Sequence, residues 1–232
     1  MGASSGWVRS RCPMPDAAIV TAVYGGYDEV KPTLPQTVLD VEWVLVTDDP
    51  GLPDGHLGWR VVYEPRPGLH PCRAAKYPKF CPWEYTDAPQ SVWIDGSVRV
   101  QAAAFAVQAL GLADPIAQFQ HPERDCILEE AAVSEALPKY AHEPVMAQAQ
   151  AYLDDGHPLR WGMWATTVIA RQHTPAVEEL GHWWLAEMRA WSFQDQISQP
   201  HVLRQLGLWP SVLPGFYRDN QWLRVEGSAK HQ

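Results

Sequence analysis

Five short segments bring together residues able to bind a charged ligand or move a proton: YGGYD (24–28), VTDD (46–49), WIDGS (93–97), HPERDCILEEA (121–131) and WSFQDQIS (191–198). In WIDGS, Asp95 precedes Gly96 and Ser97. A lone carboxylate there suits a hard divalent cation or a ribose hydroxyl, and its plainer use is a tight Asp-Gly turn. Arg73 and Lys76 are three residues apart, so on a helix they share a side and present N–H donors to an anionic ligand or simply to water. Asp195-Gln196 opens a segment of helical pattern. An acid there complements the helix dipole, or acts as a base or charge stabiliser. His121, Arg124, Glu129 and Glu130 form a dense polar group, with the two glutamates directed apart on a helix.

These residues need elements to hold them. Apolar, β-branched runs predict strands at 17–23, 41–49, 59–63, 91–94, 116–120 and 163–171. Helical patterns follow at 102–110, 126–137, 144–156, 175–191 and 195–206, and 73–80 reads as a helical turn interrupted by Pro78. Strands alternating with helices predict an α/β domain with a mostly parallel sheet and helices on both faces. Ligands of such sheets bind at the carboxyl ends of strands, where Gly25-Gly26, Asp48-Asp49 and Asp95 all fall. The expected organisation is a loose leader (1–16), one domain (17–206) and an irregular tail (207–232).

Composition excludes several classes. Of 232 residues, 46% are hydrophobic and 19% charged, which excludes a disordered chain. No apolar run reaches the ~18 residues of a membrane span, and the N-terminal stretch lacks a signal-peptide core. The expected compartment is cytoplasmic, with the four cysteines reduced. A net charge of −9 argues against nucleic acid as a main partner. The glycine-rich dinucleotide and P-loop motifs, HExxH and GxSxG are missing. His121-Pro122-Glu123 matches the HxE of zinc deaminases, but the downstream PCxxC is not there. Twelve tryptophans suit either a sugar-stacking site or a core.

In order and content, the five segments resemble a glycosyltransferase-like family formerly listed as a domain of unknown function and typified by plant mucilage-related hexosyltransferase-like proteins. WIDG and HPxRxCIxEEA are the specific parts, and the resemblance runs from about residue 17 to 206. It implies a GT-A-type fold and transfer of a hexose from a nucleotide-sugar, a UDP-sugar first, to an acceptor hydroxyl of a carbohydrate or a protein. A second reading is a binding protein of the same fold without catalysis, and a third is a phage-type transferase acting on modified DNA, which the net charge of −9 disfavours. The resemblance places Tyr24, Asp48, Arg73, Lys76, Asp95 and Ser97 at the donor. His121, Arg124 and Gln196 fall at the sugar or acceptor, and Asp195 and Glu130 at the chemistry. It also implies Mn²⁺ or Mg²⁺ on an Asp-x-Asp motif, which neutralises charge on the leaving diphosphate. Here Ser97 stands in place of the second acid, which leaves Asp95, and more remotely His231 in the tail, as ligands.

Overall fold

A computed structural model describes residues 14–227. Strands β1 (Ala17–Val23), β2 (Val41–Thr47) and β3 (Arg60–Tyr63) are followed by helix α1 (Pro71–Phe80). Strands β4 (Gln90–Ile94) and β5 (Val98–Val100), helix α2 (Phe105–Gly111) and strand β6 (Ile116–Gln120) come next. Helices α3 (Ile127–Glu135) and α4 (Val145–Asp154), strand β7 (Trp164–Gln172), and helices α5 (Pro175–Ala190) and α6 (Asp195–Gln205) complete the body. The chain then adds β8 (Ser211–Val212) and β9 (Leu223–Val225). The leader at 1–13 lies outside the described residues, as does His231.

The α/β expectation is met. The main sheet runs in the order β3-β2-β1-β4-β7-β6-β8. All neighbours are parallel except β7, which is antiparallel to both β4 and β6. Side chains of β1 and β4 alternate between two cores. Ala18, Val20, Ala22 and Trp93 face one, and Ala17, Ile19, Val92 and Ile94 the other. With both faces covered, these strands read as continuous apolar runs. The cover is uneven: α1, α3, α4, α5 and α6 contribute to the first core, α2 with β5 and Trp222 to the second.

Two expectations change, and one strand runs against the rest. Helix α1 runs through Pro78, which is buried within it. The proline removes one backbone donor and crowds the preceding turn, but the exit of the helix is held from outside. The fully buried Arg171 of β7 donates to the carbonyls of Lys79 (2.6 Å) and Phe80 (3.4 Å). A cation at a helix C-terminus satisfies orphan carbonyls and opposes the dipole. The tail, expected irregular, adds β8 beside β6 and pairs β9 with β5. Two- and three-residue strands made by edge pairing leave no period to read. Finally, β7 reverses direction within the sheet, so its first residues share an edge with the carboxyl ends of β1, β2, β4 and β6.

Candidate functional site

That edge holds a cleft of about 250 Å³. Its walls come from the end of β1 (Val23, Tyr24), from Tyr27 and Asp28, from α1 (Lys76, Lys79) and from the end of β4 (Trp93 to Ser97), closed by Lys139, Tyr140 and Phe193. A second cavity, about 400 Å³, shares Val23 and Asp28 and continues past Gly26, Thr47, Asp49 and His56.

Four charged side chains interlock beneath the first cleft. The Lys76 ammonium lies 2.7 Å from Asp195 Oδ2. Lys79 Nζ lies 2.7 Å from the same oxygen, 3.1 Å from Asp95 Oδ1 and 3.3 Å from Thr166 Oγ1. Trp93 Nε1 donates to Asp95 Oδ1 at 2.8 Å, which fixes the carboxylate at the strand end. Lys79 and Asp195 are both buried, while the Asp95 side chain is 36% exposed and reaches the cleft. Two positive and two negative groups balance. Burial alone would raise the Asp195 carboxyl, but Lys76 and Lys79 outweigh it and hold it well below the usual carboxylate range. Burial pulls Lys79 down, and Asp195 and Asp95 more than restore it, so it sits above its ordinary value. Lys76 ends below its own, because burial and neighbouring Lys79 exceed what Asp195 returns.

Of the residues expected at the donor, Tyr24, Lys76, Asp95 and Ser97 line this cleft. Tyr24 is also a core residue, and burial, with Glu64 beside it, raises its phenol to about 12. Asp48 does not line the cleft. Its carboxylate accepts twice from Gly25 N, at 2.9 and 3.1 Å, and so fixes the turn after β1, where Gly25 and Gly26 both have positive φ. Arg73 turns away. It donates to Glu143 (2.6 Å) and to the carbonyls of Met188 (2.7 Å) and Trp191 (2.9 Å). Residues three apart drift by about 60° around a helix, and the open carbonyls at the end of α5 take the guanidinium.

Lys79 is the residue that sequence reasoning missed. It continues the three-residue spacing from Lys76, but a helix broken at Pro78 removes it from that face. Trp93 is the tryptophan among the cleft residues, and it acts through its indole N–H.

His121, Arg124, Glu130 and Gln196 form a second cluster beside the first. Arg124 Nε donates to Glu130 Oε2 at 2.5 Å, and Gln194 and Gln196 donate to Glu130 Oε1 at 2.8 and 3.4 Å. Burial, helped by Asp195, outweighs Arg124 and raises the Glu130 carboxyl. His121 Nδ1 accepts from the Arg124 amide at 2.9 Å, and burial followed by Arg124 lowers the imidazole to about 4, so it is neutral. Glu129 points outward, towards Arg160 at 3.3 Å.

The donor set fits a divalent metal poorly. Asp95 Oδ1 already serves Lys79 and Trp93, Ser97 offers a hydroxyl, and among the described residues no three His, Cys, Asp or Glu side chains converge. Cys72, Cys81 and Cys126 are free thiols. No helix among the described residues is long and apolar enough to cross a membrane.

A comparison with curated proteins found no match. Among solved structures, the chain is similar to one titled WbbM bifunctional glycosyltransferase, apo structure. The two share 12% identity at a TM-score of 0.46, over 86% of this chain and 39% of that one. The family model described as TOD1/MUCI70, glycosyltransferase-like domain, matches residues 54–231. That match spans α1, the WIDGS turn, the His121 cluster and Asp195, and the chain belongs to this glycosyltransferase-like family.

Proposed function

We propose that this chain transfers a hexose from a nucleotide-sugar, a UDP-sugar first, to an acceptor hydroxyl. The observation that carries the reading is the convergence of Lys76, Lys79 and Asp95 in one cleft at the carboxyl ends of β1 and β4, in a chain of a glycosyltransferase-like family. Ligands of open α/β sheets bind at such edges. The base and ribose take the cavity past Gly26 and Asp49, the diphosphate lies against Lys76, and the sugar faces Asp95.

In the reaction the bond from the anomeric carbon to the phosphate oxygen breaks, and the nucleoside diphosphate leaves with the electron pair. The acceptor oxygen bonds to the same carbon, and its proton passes to the departing diphosphate or to water. Charge grows on the diphosphate, and ammonium groups already fixed by their carboxylate partners stabilise it without reorganising. Asp195, with its charge committed to two lysines, is a weak base and serves to position them. Glu130 keeps the higher proton affinity of the two carboxylates expected at the chemistry, with its oxygens held by Arg124, Gln194 and Gln196 outside the cleft lining.

The test is calorimetric titration of UDP, GDP and their sugar derivatives, followed by donor hydrolysis without acceptor. Micromolar binding of one nucleotide and slow release of free sugar are expected. No binding of any nucleotide overturns the reading. Binding without turnover leaves a sugar-nucleotide-binding protein.

A further inference from the structure

In a metal-dependent transferase of this fold type, an acid at the position of Asp95 carries a divalent cation. Here the place beside Asp95 is taken. Lys79 Nζ sits 3.1 Å from Asp95 Oδ1 and 2.7 Å from Asp195 Oδ2, with Thr166 Oγ1 as its third acceptor at 3.3 Å. Three acceptors match the three N–H groups of an ammonium. At 3% side-chain exposure Lys79 has little room to swing aside.

A cation bound at ~2.1 Å from Asp95 would stand within about 5 Å of that buried ammonium. Asp95 Oδ1 is already engaged by Lys79 and by the Trp93 indole, which leaves Oδ2 alone for a cation. Ser97 is a hydroxyl where a second acid would add charge. Asp28 lines the cleft as well, so Asp28, Asp95 and Asp195 stand against Lys76, Lys79 and Lys139, and the site has no surplus negative charge to draw a divalent ion. It does have donors for a phosphate. Lys76 lines the cleft and has Asp195 as its described partner, which leaves two N–H groups of its three. Lys139 adds a third ammonium at the cleft wall.

We infer that Lys79, clamped between Asp95 and Asp195, occupies the place of the divalent cation, and that Lys76 and Lys79 neutralise the donor diphosphate without a metal. The inference rests on the donor reading above. Lys79 supplies the fixed charge. Lys76 makes the direct contact with phosphate oxygens, as charge-assisted hydrogen bonds from an already oriented ammonium.

The experiment is titration of UDP and UDP-glucose into the full chain, once in EDTA and once in Mn²⁺ or Mg²⁺. The dissociation constants are expected to agree within about twofold. Lys76→Gln should weaken binding roughly tenfold in both conditions, the loss of one charge-assisted contact. Lys79→Gln leaves the buried Asp195 with Lys76 alone and Asp95 without an ammonium partner, so its unfolding midpoint is read first, and Lys76→Gln carries the test if it does not fold. Nucleotide binding that appears only with the metal overturns the inference, as does Mn²⁺ restoring the affinity of Lys76→Gln. No nucleotide binding in either condition overturns the donor reading instead, so the two failures are distinguishable.

Discussion

The Asp195 carboxylate at the start of α6 lies 2.7 Å from the ammonium of Lys76 on α1, 119 residues earlier in the chain. The pair joins two helices across the top of the sheet, and Lys79 reaches the same oxygen. Asp195→Asn removes the negative charge and leaves two buried ammonium groups with Asp95 alone. Truncating one partner of a buried pair costs about 3–5 kcal/mol. At this chain length that corresponds to a fall of roughly 6–20 °C in the unfolding midpoint, measured by circular dichroism. A fall in turnover with no thermal shift would show instead that Asp195 acts on the substrate.

Arg73 and Lys76 are one turn apart on α1 but do different work. Arg73→Gln breaks its contacts to Glu143 and to the end of α5, so it should cost stability and leave nucleotide affinity nearly unchanged. Lys76→Gln should do the reverse. Parallel melting and calorimetry on the two variants decide it. Equal loss of affinity in both would return Arg73 to the donor site.

Gly25 has φ +59°, and a Cβ there would meet Pro71 Cγ at 2.8 Å. Gly25→Ala meets both a left-handed backbone and a clash with the first turn of α1. The expected loss of stability is about 1–2 kcal/mol, with weaker donor binding because the residues flanking the turn and α1 both line the cleft. Denaturant unfolding and nucleotide titration check both halves.

Burial lowers His121, His157 and His173 to about 4, from an ordinary 6.5. Their folded values lie below the unfolded ones, so between pH 6.5 and 4 the unfolded chain binds more protons. Stability should therefore fall as the pH drops through that window. Asp195 is likewise held low, so its contribution is lost only at lower pH, on protonation. Unfolding midpoints taken every half pH unit should decline steadily from 6.5 to 4. A flat profile there would contradict the assignment of these histidines as buried and neutral.

The sequence by itself determined the parts that depend on local pattern. Apolar runs of β-branched residues placed the strands, and the acids that follow them fell at one sheet edge because parallel strands all end there. Asp95 was legible for that reason, and so was Lys76, from its spacing on a helix. The tertiary structure decided which of several nearby polar residues face the cleft. Pro78 is a helix breaker by local rule, yet α1 passes through it because Arg171, 93 residues downstream in the sequence, holds the carbonyls at the helix end. Without that distant cation in view, Lys79 could not be placed beside Asp95. Arg73 and Asp48 carry the right chemistry for a donor, but the carbonyls at the end of α5 and the amide of Gly25 bind them first. Local spacing states what a side chain can do, whereas competition among partners brought together by the fold determines what it does.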